Sequence, residues 1–246
     1  MRNTLVMPLK SIFSCNFMAM EKRMFTGGFI RMPFTRKLMF SAKSFRNCNR
    51  QRSIQTLTKC LAPLVEKCHQ SDIVAIKTIR LHMSFVDQLM SRDPDLRVIH
   101  VVRDPRGLLE SWRRLHPKAR IYTSPIQTHL NAKLICQRMM TDCQIRRQLE
   151  LKYPRRILLL RYEDLATDTD TVLRKVYNGL LQLPSPSKVV DGVKQQLTAS
   201  SANGPMGTQR SNGAATATNW RNTINSQLLE DITDTCHQLM AELHYY

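Results

Sequence analysis

The chain has 246 residues, enough for one domain with a real hydrophobic core, and 42% of them are hydrophobic, too many for a disordered protein. Lys and Arg number 37 against 19 Asp and Glu, a formal charge of +18, so the partners it attracts are polyanionic: nucleic acid, sulfated or acidic glycan, a phosphate-bearing cofactor or an anionic membrane face. No window of about 18 uninterrupted apolar residues offers a spanning helix, the seven cysteines include no CxxC pair, and no RRM, KH, helix-turn-helix or zinc-finger signature supports a nucleic-acid partner.

The first twenty residues combine a basic residue, an apolar stretch and small side chains, but Pro8 and Lys10 interrupt any signal-peptide core. Residues 1–50 hold ten Lys or Arg against one acidic residue, Glu21, and read as a basic, poorly defined N-terminal region or as a groove for an acidic polymer. The folded part is expected over residues 51–246. Leu57, Leu61, Leu64 and Val65 fall at helical spacing between Ile54 and Cys68. DIVAIKTI, Asp72 to Ile79, is short and β-branched and predicts a buried strand. HMSFVDQLMSR predicts a helix closed by the Asp93-Pro94 break.

LRVIHVV predicts the second strand, and PRGLLESWRRL a helix with Pro105 in its first turn. A long amphipathic helix follows from Pro125, its last turns carrying Arg146, Arg147 and Lys152 toward the negative end of the helix dipole. RILLLRYEDL predicts a third strand running into a loop, and DTDTVLRKVYNGLLQLP a helix whose early aspartates suit the positive dipole end. Ser185 to Thr218 shifts to Ser, Thr, Asn, Gly and Ala and predicts a long functional loop. NSQLLEDITDTCHQLMAEL closes the chain as an amphipathic helix. Strands alternating with helices predict an α/β fold, with a mostly parallel sheet flanked by helices on both faces.

The chemistry concentrates in RVIHVVRDPRGLLESW. Ligands of open parallel sheets bind beyond the carboxyl ends of the strands. Arg103 stands at such an end, and Pro105 keeps Asp104 out of the helical region and sharpens the turn. Ser111 lies about two turns into the next helix. A guanidinium grips phosphate in a bidentate way and a hydroxyl adds one hydrogen bond, so the pair suits a terminal phosphate of a nucleotide. The plain alternative is an Arg–Asp pair that trims a strand end beside a solvated Ser111.

Together with AIKTIRL before it and RYEDLA after it, this segment resembles the carbohydrate sulfotransferases that modify the 6-hydroxyl of galactose, N-acetylglucosamine or N-acetylgalactosamine. The resemblance runs from about Cys60 to Tyr246 and includes Thr208, Arg210, Trp220, Arg221 and Cys236 in TQRSNGAATATNWRNTI and the helix after it. It implies a P-loop-like sulfotransferase sheet and a co-substrate, 3′-phosphoadenosine 5′-phosphosulfate, with no metal. Arg103, Asp104, Pro105, Arg106 and Ser111 would form the element that binds the 3′-phosphate, and Arg210 and Arg221 would close over the nucleotide from the late loop. Trp220 would pack beside them or anchor the core. Glu163 and Asp164 are read as fixing the loop after the third strand rather than as an acid/base pair. Cys136 and Cys143, seven apart on one helix face, are read as buried thiols, although the family works in an oxidising lumen where some cysteines could pair.

The resemblance further implies a glycan acceptor on a glycoprotein or glycosaminoglycan of keratan or chondroitin type, no nucleic acid, and the Golgi lumen; the family is membrane-anchored, but this chain shows no span. It departs from the pattern at the donor loop as well. The Arg-(Ser/Thr)-Gly-Ser-Ser loop that would cradle the 5′-phosphosulfate on a helix start is not found, and Gly27 and Gly28 in MFTGGFI are a poor substitute. The expected fold therefore lacks the first strand and donor loop, and its sheet would expose apolar edges. Either the sequence is an incomplete gene product of an active enzyme, or it is a non-catalytic relative that binds acidic glycan or nucleotide. The catalytic base is not identified.

Overall fold

A computed structural model of the protein describes residues 3–21, 54–79, 81–119, 124–199 and 211–245. The chain divides into two compact units, Met1–Leu81 and His82–Tyr246. In the first, helix α1 (Asn3–Phe13) is followed by a 3-10 turn, Phe17–Ala19, and later by α2 (Ile54–His69). The helical spacing read from the sequence is realised in α2: Leu61 is fully buried among Cys15, Phe17 and Cys60, with Leu64 and Val65 packed against them. A disulfide joins Cys15 to Cys68 across 53 residues, and Cys60 is also disulfide-bonded.

Asp72–Ile79 is not a strand. Its β-branched composition suits a strand, but a strand exists only where a neighbour accepts its backbone hydrogen bonds. Among the described residues the sheet contains two strands and neither comes from this segment. Ile73 and Ile79 are consequently 50% and 73% exposed.

The second unit begins with a 3-10 turn, Met83–Phe85, and a short helix, α3 (Val86–Met90). Strand β1 (Val98–Val102) and helix α4 (Pro105–Leu115) follow. Helix α5 (Pro125–Lys152) opens on a proline, which suits a first helical position, and at 28 residues reaches about 42 Å. Its buried residues Thr128, Ala132, Cys136, Cys143, Arg146 and Leu149 recur every three, four or seven positions, the stripe by which a helix meets a core. Arg146, which the sequence assigned to the helix dipole, is buried and held by Glu150 at 2.6 Å.

Strand β2 (Ile157–Arg161) pairs parallel to β1. It runs into a helix, α6 (Tyr162–Thr167), where the sequence predicted a loop. Asp168 then caps α7 (Thr169–Arg174) by accepting from the Thr171 N–H at 3.2 Å, and a π-helical turn, Lys175–Leu181, continues it.

The expected loop from Ser185 to Thr218 holds two helices, α8 (Ser187–Leu197) and α9 (Gly213–Thr218). Val189, Val190, Val193 and Leu197 keep helical spacing and are half-buried inside the Ser- and Thr-rich composition that concealed them. A 3-10 turn, Asn219–Asn222, leads to α10 (Ser226–Glu242), capped by the Asn225 carboxamide. The main core lies between α5 and α10, around Val102, Ala132, Cys136, Ile232, Cys236 and Leu239. Cys136 and Cys236 form a disulfide across 100 residues, so Cys136 is not the free thiol expected. Cys143 is the free one, buried, with burial raising its thiol pKa.

Candidate functional site

The site follows from strand register. Val98 faces Ile157 and each later pair keeps that offset of 59 positions, through Val102 and Arg161. Carried one and two residues past the strand ends, the same offset sets Arg103 beside Tyr162 and Asp104 beside Glu163. The side chains bear this out. The Arg103 guanidinium lies 4.9 Å from the Tyr162 ring centroid, and the Asp104 N–H donates to Glu163 Oε1 at 3.1 Å. Arg161 and Glu163 both meet Tyr245 in the turn after α10, whereas Tyr162, the first residue of α6, takes Arg103.

Asp104 caps α4. Its backbone is extended, at φ −51° and ψ 120°, and Oδ1 accepts from the Arg106 N–H at 2.9 Å. The same carboxylate takes the Arg106 guanidinium in a bidentate grip, with Nη2–Oδ2 at 2.7 Å and Nε–Oδ1 at 3.0 Å. The two residues are 3% and 6% exposed. An ion pair this deep holds only because every charge has a partner; removing one costs about 3–5 kcal/mol. Asp104, Pro105 and Arg106 thus fix the shape of the turn, with Pro105 buried at the first helical position.

Arg103 differs from them. Its Nε is buried and has no hydrogen-bond partner among the described residues. An unsatisfied buried donor costs about 1–3 kcal/mol, a cost that a bound anion would offset. Ser111 stands one turn beyond Gly107 on the same face of α4, half-buried. That face meets Trp220: a Cβ placed on Gly107 would lie 2.7 Å from Trp220 Cδ1. Trp220 is buried, with the Arg106 guanidinium 4.7 Å from its ring centroid and that of Arg221 at 4.8 Å. Trp220 is therefore a core anchor, and it brings exposed Arg221 to the start of α4. Thr208 and Arg210 lie outside the described residues.

Glu163 has the supporting position expected of it, and its second partner was missed. Its Oε2 accepts from the Tyr245 hydroxyl at 2.9 Å. Tyr245 is held in turn by Arg161, stacked at 4.6 Å, while Arg161 Nη1 donates to the carbonyls of Leu243 and His244 at 3.1 and 3.0 Å. Burial, together with the Glu163 carboxylate, keeps the Tyr245 phenol well above its ordinary pKa, so it stays a donor. A sequence signal for Gly107 existed: a glycine inside a helix otherwise rich in good formers needs a packing reason. No local signal pointed to the Tyr245 side chain, because its partners Glu163 and Arg161 lie 82 positions and more away.

A strand-end arginine with an open donor, a helix-borne hydroxyl and a second arginine stacked on a tryptophan are groups whose chemistry suits a small, highly charged oxyanion. The chain belongs to the sulfotransferase domain family, whose model matches residues 30–244, and its small parallel sheet flanked by helices is consistent with that α/β fold. Among individual proteins it is similar to carbohydrate sulfotransferase 1 of Homo sapiens, 28% identical over 214 residues that cover 81% of this chain and 50% of that one. Carbohydrate sulfotransferase 2 of Homo sapiens is 27% identical over 75% of this chain and 42% of its own length. Carbohydrate sulfotransferase 3 of Rattus norvegicus is 27% identical over 85% and 45%. The chain thus spans about half the length, or less, of these relatives. No solved structure matches it.

Proposed function

We propose that the protein is a carbohydrate sulfotransferase that moves a sulfo group from 3′-phosphoadenosine 5′-phosphosulfate to the 6-hydroxyl of a sugar on a keratan- or chondroitin-type glycan. The observation that carries this reading is the buried, unpartnered Nε of Arg103 at the carboxyl end of β1. Arg103 and Ser111 hold the 3′-phosphate of the donor, Arg221 adds positive charge from the late turn, and Arg210 is assigned with it by family resemblance. Asp104, Pro105 and Arg106 shape the turn that carries Arg103. When bound, the nucleotide supplies the sulfo group; the protein's part is positioning and the stabilisation of spread negative charge, which basic side chains provide without a metal.

The formal charge of +18 suits an acceptor that grows more anionic as sulfate accumulates. The disulfides Cys15–Cys68 and Cys136–Cys236 favour an oxidising compartment, in keeping with the Golgi lumen. No helix among the described residues is long and apolar enough to cross a membrane.

Calorimetry with 3′-phosphoadenosine 5′-phosphate tests the site. Arg103→Ala is expected to weaken binding by roughly ten- to a hundredfold, the range for hydrogen bonds to a charged group; equal affinity in both proteins would refute the assignment. A transfer assay on desulfated keratan or chondroitin tests the activity. Measurable sulfate incorporation is the outcome expected of the proposed transfer; nucleotide binding without turnover would favour the non-catalytic alternative.

A further inference from the structure

Arg103 is positioned by backbone, and that backbone is tied to a distant part of the chain. In the turn between β1 and α4 the Asp104 N–H donates to the Glu163 carboxylate at 3.1 Å. Glu163 is one carboxylate with two duties: Oε1 takes the Asp104 N–H and Oε2 takes the Tyr245 hydroxyl. Tyr245 is 4% exposed and follows α10 in a closed turn, in which its N–H donates to the Met240 carbonyl at 2.8 Å, the His244 N–H donates to Ala241, and His244 is left-handed at φ 57°. The Tyr245 carbonyl also accepts from Arg106 Nη2 at 3.4 Å. The turn after α10 therefore reaches both sides of the Arg103 loop, through Glu163 and through Arg106.

We infer that Tyr245 is a positioning residue for the anion site: its hydroxyl, acting through Glu163, holds the Asp104 amide and so keeps the Arg103 guanidinium aimed at the 3′-phosphate. This rests on the reading of Arg103 given above. Arg161 contributes by gripping the same turn, since its guanidinium stacks on the Tyr245 ring and bonds the two carbonyls before it. Tyr245 has no need to touch the nucleotide. The paths through Glu163 and Arg106 make the late turn a brace, and without the hydroxyl one of the two is lost.

The test uses the full chain with Tyr245→Phe, Glu163→Gln, Glu163→Ala and Arg103→Ala, titrated with 3′-phosphoadenosine 5′-phosphate and, as a probe lacking the 3′-phosphate, adenosine 5′-phosphate. Tyr245→Phe keeps the ring under Arg161 and removes only the hydroxyl. It is expected to weaken the bisphosphate roughly five- to tenfold, less than the roughly ten- to hundredfold of a direct hydrogen bond to a charged group because the hydroxyl acts through Glu163, and to change adenosine 5′-phosphate by less than about twofold. Glutamine at 163 retains an acceptor for the Asp104 amide and a donor for the phenol oxygen, so it preserves most of the affinity that Glu163→Ala loses.

Amide exchange adds a readout that needs no nucleotide: the Asp104 amide exchanges roughly tenfold faster in Tyr245→Phe, while the later amides of α4 keep their protection. Unchanged exchange at Asp104, or an equal loss for both nucleotides, overturns the inference and leaves the site reading intact. Wild-type-like discrimination in Arg103→Ala, or no discrimination by the wild type, overturns the site reading and the inference with it.

Discussion

The two units of the molecule hold their shape by different means. In His82–Tyr246 a two-stranded sheet and the long helix α5 share an apolar core with α10, and the Cys136–Cys236 bond lies inside that core. The polar brace of Asp104, Arg106, Glu163 and Tyr245 is built at its edge. In Met1–Leu81 the described core is four residues, Cys15, Phe17, Cys60 and Leu61, two of which are themselves half-cystines. A cross-link matters more where little apolar surface is buried, because chain entropy then has little to oppose it. The comparison teaches that the candidate site stands on the unit that can support a precise arrangement by packing.

Breaking the disulfides gives the largest expected effect. In the chain-entropy account, closing 53 or 100 residues contributes roughly 4–5 kcal/mol in either case. Cys15→Ser with Cys68→Ser is expected to melt the first unit, seen as lost amide protection in α1 and α2, while α5 and α10 stay protected. Cys136→Ala with Cys236→Ala is expected to lower the melting temperature of the second unit without unfolding it at room temperature. The reverse pattern would overturn the contrast between a core-supported and a disulfide-supported unit.

A smaller effect sharpens the packing half of that contrast. Gly107→Ala sets a methyl group 2.7 Å from Trp220 Cδ1, so the ring must shift, at a cost of about 1–3 kcal/mol. Chemical denaturation should show the loss, and tryptophan fluorescence should report the displaced indole. The variant is also expected to weaken nucleotide binding by moving Arg221. Stability equal to wild type would show that Trp220 does not pin the late turn to α4.

The smallest effect concerns pH. His100 on β1 has an imidazole pKa held below its ordinary 6.5, chiefly by burial; Asp142 and Glu150 oppose the shift and Arg146 adds to it. Its Nδ1 has no hydrogen-bond partner among the described residues. The unfolded chain takes up a proton near pH 6.5 that the folded chain accepts only at lower pH, so the stability of the second unit falls as pH drops from about 7 toward 5. Thermal melts across that range should show a shallower loss in His100→Gln than in wild type. Identical slopes would remove His100 from the account.

How much of this was readable in advance depended on the range of the interaction involved. Val98–Val102 and Ile157–Arg161 were legible because β-branched and apolar residues predominate there. The start of α4 was legible from Asp104-Pro105, and α10 from its apolar period. Asp72–Ile79 has the same kind of composition and is not a strand, because pairing is decided by a partner and not by propensity. Helix α8 was hidden by Ser, Lys, Asp and Gln, whose bulk polarity masked four apolar residues at the right spacing. In the site, Arg103 and Ser111 were visible as types at a spacing, and Glu163 as a supporting carboxylate. Gly107 acquires its meaning only from Trp220, and Tyr245 from Glu163.

The sequence alone determined the strand end, the helix that follows it and the residue types that meet there, since these depend on backbone propensity and on neighbours a few positions apart. Tertiary structure decided which arginine is free. Arg103 and Arg106 are three residues apart and chemically identical, yet one is neutralised by Asp104 and the other keeps an open donor. That choice is made by the register of β1 on β2 and by the turn after α10, both of which join residues that lie far apart along the chain.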